Sequence, residues 1–475
     1  LLGVLAFGAV PLAASPTPGL EVKTSTVAAG GSSFIVSTVS VDLALLQSRV
    51  GLAHGRVGPT EELASLARRE GALAALNGSY FEAYTSSAIK NPNHTLIRDG
   101  QLVNKGNVGS LIGFCPDGQA RIDRVPLKIE GALDGSYKYP DNWHAYWVNR
   151  LPEGAGTITI FTRAWGPATG VAQGRHVVVS GGRVTEIGEG SRPIPQDGYV
   201  VVFRGAKQEQ LAGRFRVGRT CEYRVVREDH RPLGFWEGVT EAVGAGPRLV
   251  TDGRITCDPA GEAFKDPKIT GDYAGARSMV GLTAEGRLLL VTSSGTVRQM
   301  AQLMLALGAT QAMCMDGGAS SGLWAEGHYL TAPGRPISNA LLIVKRQATP
   351  QPAPPATPDP APSAPGEPPP SPPPFEHTTP LPTAEPSPEA VIPPSTLAPP
   401  AQAPTPFADP HTSPGDGRPS PTRKPSTPAS GGGGFAVLLL MLGLAGTVTA
   451  AVVSQGREPK DPGFLEGSED DWRGL

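Results

Sequence analysis

An acid followed by glycines and serines is the stretch of this sequence best suited to chemistry. Asp316 supplies a carboxylate. Gly317 and Gly318 allow the backbone to approach a ligand closely and to turn its N–H groups towards an anion. Ser320 and Ser321 add hydroxyl donors. The pattern therefore predicts a site for an anionic ligand with a carboxylate at its edge, although Asp-Gly-Gly is also a common turn sequence.

The residues before this loop predict a helix and a short strand that bring Asp316 to the edge of a core. Thr296 and Gln299 have the spacing of a capping box, which places the start of the helix. Apolar residues then recur at helical spacing, and Gly308 suits the position just after the helix end. The apolar run 312–315 follows as a strand. Asp316 would then lie where this strand leaves the core.

A second stretch repeats this arrangement nearer the start of the chain. Residues 63–75 and 300–312 each combine helical spacing, a Gly-Ala pair and an apolar run. The first copy leads to Asn77 and the second to Asp316, and each of these residues is followed by glycine. We therefore expect two strand ends, each carrying a polar side chain, to meet at one cleft.

Composition limits both the folded part of the chain and the classes of partner. The chain has 475 residues and a formal net charge of -2, and much of its proline lies after residue 348. About 330 residues remain before that tract, which is enough for a substantial core. The basic residues are scattered, and there is no zinc-finger or P-loop pattern. These features argue against nucleic acid as a partner.

The two ends of the chain differ in composition from a folded domain. Residues 1–15 are apolar and small, which predicts a secretory signal peptide that is truncated at its start. Residues 347–434 are rich in Pro, Ser and Thr, which predicts a disordered stalk. Residues 435–453 are apolar and uncharged and would span roughly 28 Å as a transmembrane helix, with residues 454–475 as a short cytoplasmic tail. The predicted location is the cell membrane, as a single-pass protein with residues 20–346 on the extracytoplasmic side.

Residues 20–346 predict a strand-rich α+β domain with mixed sheets and few helices, rather than a regular βαβ winding. The clearest helix besides the central one is 61–70, with Thr60 as its cap and Gly71 as its stop. Asp-Gly pairs separate many of the strand-like runs. The runs are residues 33–41, 109–115, 157–162, 176–179, 199–203, 223–226, 279–282, 288–292 and 340–345.

Four cysteines, at 115, 221, 257 and 314, form no CxxC pair, which argues against a zinc ribbon or a thioredoxin-like motif. Cys221 and Cys257 lie in more polar segments, and they are the preferred disulfide pair if the protein is exported. Cys115 and Cys314 lie in apolar runs and are expected to be buried thiols.

Eight segments of the chain occur in the order seen in phosphodiester glycosidases. They are AALNGSYFE, HTLIRDGQLV, RLPEGAGTITIFT, IPQDGYVV, AVGAGPRLVTDGRI, ARSMVGLTAEGRLLLV, GTVRQMAQLMLALGATQAMCMDGGASSGL and GRPISNALLIV. Residues 20–346 thus resemble the family that includes N-acetylglucosamine-1-phosphodiester α-N-acetylglucosaminidase and its bacterial relatives. The resemblance implies an exported hydrolase that cleaves the glycosidic bond of a sugar-1-phosphodiester, of the N-acetylglucosamine type, in an envelope or extracellular glycan.

The resemblance also implies roles for individual residues. The catalytic residues would be Asp316, Glu82 and Arg277. The substrate-binding residues would be Asn77, Gly317, Gly318, Ser320, Ser321 and Arg335. Two positions depart from the family pattern, since Ala319 replaces a third glycine and Ala276 stands where proline often precedes the arginine. These departures leave the details of substrate fit open.

Cleavage of a sugar C1–O–phosphate bond creates positive charge at carbon and negative charge on the departing phosphate. Arg277 and Arg335 are suited to bidentate contacts with phosphate oxygens, and the loop amides can form an anion nest. Asp316 is the candidate base, nucleophile or electrostatic stabiliser, with Glu82 as a second carboxylate. Asn77 can bind a sugar hydroxyl or acetamido group. Inverting and retaining chemistry both remain open, because they differ in the separation of the carboxylates.

Each assignment has a structural alternative. The two arginines can be surface ion-pair residues, Glu82 can be solvated, and Asn77 can hold a turn. The histidines lack zinc-site spacing, so no cofactor is predicted, and Ca²⁺ held by Asp316 and nearby carbonyls is the weaker alternative. Five tryptophans can either line a sugar platform or pack in the core: Trp143, Trp147, Trp165, Trp236 and Trp324.

Two other functions fit the same residues. A surface glycan-binding module would keep the pocket without turnover, and a phosphodiesterase would release sugar phosphate instead of free sugar. In all three cases the expected partner is a carbohydrate phosphodiester, with the membrane reached through residues 435–453. The sequence predicts no oligomeric state.

Overall fold

The computed structural model describes residues 17–152, 154 and 156–346. The predicted signal peptide, stalk, transmembrane helix and tail lie outside these residues, so they stay predictions. Within the described part of the chain, no helix is both long enough and apolar enough to cross a membrane.

Strands dominate the described residues and helices are few, as predicted. Seven of the nine strand-like runs fall within strands, and the other two extend beyond theirs by one residue, 109–115 at both ends and 157–162 at its last residue. The strands are β1 (Leu20–Ala29), β2 (Ser32–Asp42), β3 (Leu46–Leu52), β4 (Ala74–Asn77), β5 (Leu96–Arg98), β6 (Gln101–Asn104), β7 (Ser110–Phe114), β8 (Ala120–Asp123), β9 (Leu127–Leu133), β10 (Asn142–Ala145), β11 (Trp147–Val148), β12 (Thr157–Phe161), β13 (Arg175–Ser180), β14 (Arg183–Glu189), β15 (Gly198–Arg204), β16 (Cys221–Arg227), β17 (Glu241–Ala245), β18 (Arg248–Thr251), β19 (Arg254–Ile255), β20 (Gly275–Thr283), β21 (Arg287–Gly295), β22 (Ala309–Cys314), β23 (Leu323–Ala325), β24 (His328–Thr331) and β25 (Asn339–Lys345). The α-helices are α1 (Leu63–Arg69), α2 (Ala206–Ala212), α3 (Pro267–Thr270) and α4 (Val297–Ala306). Short 3-10 turns lie at Ala53–Gly55, Gly234–Glu237 and Gly318–Ser320.

The largest sheet is antiparallel, in the order β1-β2-β21-β20-β22-β18-β19, and α4 packs against it. The apolar face of α4, which includes Met300 and Leu303, is fully buried in the core of this sheet. The capping box is present: Thr296 N–H donates to Oε1 of Gln299 (2.9 Å), and Gln299 N–H donates to Oγ1 of Thr296 (3.2 Å). Gly308 follows the helix with a φ of +84°, as a helix-ending glycine should. The predicted helix and strand before Asp316 are therefore confirmed.

A second antiparallel sheet has the order β24-β23-β4-β25-β3 and carries α1. The prediction that this helix begins at residue 61 under a Thr60 cap is wrong, because α1 begins at Leu63 without a side-chain cap. Glu61 instead exchanges backbone hydrogen bonds with Ile337, both 2.9 Å long. That bridge holds residue 61 in an extended conformation. The predicted stop at Gly71 is confirmed, since its φ is +65°.

Three further sheets have the orders β10-β9-β16, β11-β12-β15-β13-β14 and β6-β5-β17-β7-β8. Their apolar faces enclose a second core that includes Phe203 and Phe215. Glu241 in β17 is buried and accepts the N–H groups of Val50 (2.7 Å) and Asp99 (3.0 Å). Burial raises the pKa of Glu241 to about 7.

The predicted disulfide between Cys221 and Cys257 is wrong, because all four cysteines are free thiols. Cys221 is buried in the second core, whereas Cys257 packs against the core beneath α4. The two residues lie in different hydrophobic cores, so their sulfur atoms are not neighbours. Burial raises the pKa of each thiol to about 11, which makes both inert near neutral pH.

Candidate active site

Two strand ends from different sheets meet at the candidate site. Asn77 is the last residue of β4, and Asp316 lies two residues beyond the end of β22. The side-chain amide of Asn77 donates to the backbone carbonyl of Asp316 (2.7 Å), and the N–H of Asp316 donates to the carbonyl of Gly78 (3.0 Å). The predicted meeting of the two strand ends is therefore found in the structure.

The side chain of Asn77 is buried, and its contacts brace the site. Its Oδ1 accepts the hydroxyl of Ser278 (2.6 Å) and the N–H of Gly322 (3.0 Å). Together with the bond to Asp316, these contacts tie β4, β20 and both sides of the Gly/Ser loop to one amide. This geometry gives Asn77 an internal role, and its contact with a sugar stays a prediction.

The Gly/Ser loop turns back towards Asp316. The hydroxyl of Ser320 and the N–H of Gly317 lie close enough to the carboxylate of Asp316 to act against the rise of its pKa. The N–H of Ser320 donates to the carbonyl of Gly317 (3.3 Å). Of the three amides predicted to form an anion nest, that of Ser320 thus has a partner within the loop and that of Gly317 acts on Asp316, so Gly318 is the remaining predicted donor. The hydroxyl of Ser321 is buried and has no hydrogen-bond partner among the described residues.

The carboxyl group of Asp316 titrates in an unusual range for aspartate. Burial raises its pKa to about 7, although the Ser320 hydroxyl, the charge of Arg335 and the Gly317 amide all act to lower it. An ordinary aspartate has a pKa near 3.9. The carboxyl group of Asp316 therefore changes charge near neutral pH, where it can accept or release a proton.

Arg277 lies in β20, is buried, and faces the Gly/Ser loop. Its Nε donates to the carbonyl of Gly295 (3.2 Å), and its Nη2 donates to the carbonyls of Lys268 (2.8 Å) and Tyr273 (2.9 Å). A methyl group placed on Gly317 would lie 3.4 Å from Nη1 of Arg277. Most of the guanidinium is thus held by the backbone, and its Nη1 edge adjoins the loop that starts at Asp316.

Arg335 reaches the same loop from the other sheet, in the segment between β24 and β25. Its Nη2 donates to the hydroxyl of Tyr84 (2.7 Å), and its Cζ lies 4.7 Å from the centroid of the Tyr84 ring. The preceding residue, Gly334, donates its N–H to the carbonyl of Ala319 (2.8 Å). The Gly/Ser loop is therefore flanked by one arginine from each sheet.

Glu82, the predicted second carboxylate, has fixed partners of its own. Its Oε2 accepts the side-chain amide of Asn91 (2.9 Å), and its Oε1 forms an ion pair with Arg150. The guanidinium of Arg150 lies 5.0 Å from the centroid of the Trp147 ring. Among the described residues no hydrogen bond links Glu82 to Asp316, so a catalytic role for Glu82 stays a prediction.

Two aromatic residues near Asp316 were not predicted from the sequence. Tyr80 donates its hydroxyl to the carbonyl of Gly246 (3.0 Å), and burial next to Cys314 and Asp316 raises its pKa well above the usual range. His94 lies 5.1 Å from Tyr80, centroid to centroid, and burial lowers its pKa to about 4. Tyr80 follows Asn77 by three residues, which is the only signal that could have suggested it.

The five tryptophans were expected either to line a sugar platform or to pack in the core, and most of them pack in the core. Trp147 is half-buried, and the other four predicted platform residues are core residues: Trp143, Trp165, Trp236 and Trp324. The rings next to the two arginines of the site are instead those of Tyr84 and Tyr273.

Within the described residues, no group of three or more His, Cys, Asp or Glu side chains could hold a metal ion. The expectation that no cofactor is needed, and the Ca²⁺ alternative at Asp316, both stay predictions.

The site belongs to a strand-rich domain in which a carboxylate and two arginines adjoin one loop. Residues 173–344 match the sequence model of the family described as phosphodiester glycosidase. These residues, which are less than half of the chain, carry the similarity to that family, and the match suggests a hydrolase. A comparison with curated proteins gives no match.

Solved structures support the fold. A hypothetical protein from Synechocystis has a TM-score of 0.59 at 24% identity, covering 70% of this chain and 63% of that one, so this chain spans less than two thirds of its length. A putative exported protein from Burkholderia pseudomallei K96243 has a TM-score of 0.54 at 20% identity. The match covers 66% of this chain and 74% of the Burkholderia protein. The zebrafish N-acetylglucosamine-1-phosphodiester alpha-N-acetylglucosaminidase catalytic domain, auto-inhibited by its pro-peptide, has a TM-score of 0.36 at 15% identity, with 70% and 85% covered, which is too low to carry an argument.

Proposed function

We propose that this chain hydrolyses the glycosidic bond of a sugar-1-phosphodiester. The observation that carries the proposal is the position of Asp316. Its carboxyl group has a pKa of about 7 and lies where two sheets meet, beside a loop approached by Arg277 and Arg335. The family match supports the same reaction class.

The reaction breaks the bond between C1 of the sugar and the phosphate oxygen. The phosphomonoester leaves with the bonding electrons, and water supplies a hydroxyl group to C1 and a proton to a base. Ionised Asp316 can take this proton, stabilise the positive charge at C1, or attack C1 directly. All three roles need the ionised carboxylate.

The arginines would act on the departing phosphate. Arg335 and the Nη1 edge of Arg277 can pair with phosphate oxygens and stabilise the negative charge that forms there. The buried hydroxyl of Ser321 and the amide of Gly318 are further donors for the same anion. Because the backbone already holds Arg277 and Asn77 holds the loop, little reorganisation of these groups would be needed at the moment of reaction.

We further propose an exported, membrane-anchored enzyme that acts on an envelope or extracellular glycan. The apolar character of residues 1–15 and 435–453 supports this location. The substrate class to test first is a phosphodiester of N-acetylglucosamine 1-phosphate, since the family resemblance points to that sugar.

The decisive experiment follows the products in oxygen-18 water. The purified full chain is incubated with the methyl diester of N-acetylglucosamine 1-phosphate, and the products are analysed by mass spectrometry. A glycosidase releases free N-acetylglucosamine and unlabelled methyl phosphate, because water attacks carbon and not phosphorus.

Other outcomes contradict the proposal. Labelled methyl phosphate, or sugar phosphate with methanol, would mean that a P–O bond is cut and that the chain is a phosphodiesterase. Binding of the diester in calorimetry without any product would mean a glycan-binding module. Absence of both binding and product would reject this substrate class.

A further inference from the structure

Two exposed tyrosines stand next to the two arginines of the site. Tyr84 is 87% exposed and Tyr273 is 51% exposed, although an aromatic ring is mostly apolar. Each ring lies near one guanidinium: Tyr84 at 4.7 Å from Arg335 and Tyr273 at 5.9 Å from Arg277, measured from Cζ to ring centroid. The rings are therefore placed beside the phosphate-binding edge and are open to a ligand.

The two tyrosines reach the site from opposite sides. Tyr84 follows β4 and so extends from the smaller sheet, whereas Tyr273 precedes β20 of the larger sheet. Asp316 lies between these elements, since Asn77 at the end of β4 and Ser278 in β20 are joined by a hydrogen bond beneath the loop. The two tyrosines thus approach the loop that starts at Asp316 from opposite sheets.

A phosphodiester carries an organic group on each side of its phosphate. If the arginines hold the phosphate, these two groups must extend away from it in two directions. Aromatic rings stack well on other rings and apolar faces at centroid distances of about 4.5–7 Å. Tyr84 is the more exposed of the two tyrosines, so it can accept a large and variable group, whereas Tyr273 stands beside the buried arginine.

We propose that Tyr84 and Tyr273 are the two walls of the substrate cleft, with Tyr84 stacking on the organic group that leaves with the phosphate. This inference rests on the proposed function. It identifies the preferred substrate as a diester with a large planar or apolar leaving group, and it makes Tyr84 a determinant of specificity.

The test compares two diesters of N-acetylglucosamine 1-phosphate, the phenyl and the methyl ester. In the wild-type chain we expect the phenyl ester to have the lower KM. Tyr84→Ala should raise the KM of the phenyl ester roughly three- to tenfold more than that of the methyl ester, as expected for the loss of one stacking contact. Tyr84→Phe keeps the ring and should keep the preference for the phenyl ester over the methyl ester.

The main rival explanation is that Tyr84 only holds Arg335. In that case Tyr84→Ala and Tyr84→Phe would each raise the KM of both esters by the same factor, because both variants lose the hydroxyl that accepts from Arg335. That result would overturn the inference. The matched control is Tyr139→Ala, which removes a tyrosine that is 74% exposed and lies 5.0 Å from Arg214, and it should change neither KM.

Binding separates this inference from the proposed function. In an Asp316→Asn background the dissociation constants of both esters are measured by calorimetry, with and without Tyr84→Ala. A phenyl preference that disappears with Tyr84→Ala supports the stacking wall even if the wild type never releases sugar. Free sugar released from both esters without any effect of Tyr84→Ala would reject the wall and leave the proposed function intact, and no binding of either ester would reject both.

Discussion

The strands β4 and β22 are preceded by the same local structure, but the polar residues at their ends have different roles. Each strand follows a helix and a glycine with positive φ, namely Gly71 (+65°) and Gly308 (+84°). One strand leads to Asn77, whose amide is buried and makes three hydrogen bonds. The other leads to Asp316, which is half-buried and has a pKa of about 7.

The difference follows from the charge of the side chain. A neutral amide both donates and accepts hydrogen bonds, so it can be buried at low cost if all its partners are present. A carboxylate is costly to bury, so it stays near solvent or takes up a proton. Asn77 is therefore suited to hold the Gly/Ser loop in place, and Asp316 is suited to act on a ligand at that loop.

The two arginines also differ in this way: one is buried and held by the backbone, and the other is more exposed. Arg277 is buried and three backbone carbonyls accept from it, whereas Arg335 is half-exposed and contacts the side chain of Tyr84. We therefore expect Arg277 to contribute to both stability and binding, and Arg335 to binding alone.

The largest expected effect comes from the acidic strand end. Asp316→Asn removes the ionised carboxylate and should lower kcat by about 10²–10⁴-fold. Steady-state release of free sugar measures this effect, with Glu237→Gln as a control for an exposed acid that makes no contact with the site. Turnover close to that of the wild type in Asp316→Asn would show that another group performs the chemistry.

The neutral strand end should matter most for stability. Asn77→Ala leaves the Ser278 hydroxyl, the Gly322 N–H and the Asp316 carbonyl without their partner, so we expect the free energy of unfolding to fall by about 2–4 kcal/mol. Urea unfolding measures the loss. Asn107→Ala is a matched control, because Asn107 braces the backbone of Leu127 with two hydrogen bonds. Both variants should lose stability, but only Asn77→Ala should also lower kcat in the folded protein.

The arginines can be separated by replacing each with lysine. Arg277→Lys should lower the free energy of unfolding by about 1–3 kcal/mol, since an ammonium group cannot reproduce the fork of bonds to three carbonyls. Arg335→Lys should change it by less than about 0.5 kcal/mol and raise the KM of the diester roughly tenfold. Equal losses of stability in the two variants would contradict the expectation that Arg335 contributes to binding alone.

The smallest expected effect is a dependence of stability on pH. Asp316 and Glu241 both have a pKa raised to about 7 in the folded protein, whereas unfolded carboxyl groups titrate near 4. Between about pH 4 and pH 7 the folded state therefore binds more protons than the unfolded state, so the free energy of unfolding falls as the pH rises through this window. Glu241→Gln and Asp316→Asn should each flatten that fall.

Activity should show the opposite trend. It should rise as the pH passes through about 7, because the proposed roles of Asp316 need the ionised form. Glu241→Gln should leave this activity profile unchanged while it flattens the stability profile. An activity profile that moves with Glu241→Gln would mean that Asp316 does not control the rate.

Much of the local structure could be predicted from the sequence. The capping box at Thr296, the glycine stop at Gly308 and the strand runs depend on residues close together in the chain, and all of them were confirmed. The predicted start of α1 and the predicted disulfide were both wrong, and for the same reason. Each depends on a distant part of the chain: the bridge of Glu61 to Ile337, and the two cores that separate Cys221 from Cys257.

The sequence by itself determined which residues carry charge and glycine, and therefore that Asp316 and the Gly/Ser loop were the place to look for chemistry. Only the tertiary structure decided that Asn77 braces that loop, that Glu82 pairs with Arg150, and that Tyr84 rests on Arg335. Local pattern comes from neighbours along the chain, which the sequence displays directly. Burial, pKa and partners come from residues brought together across two sheets, and nothing in their spacing along the chain specifies that contact.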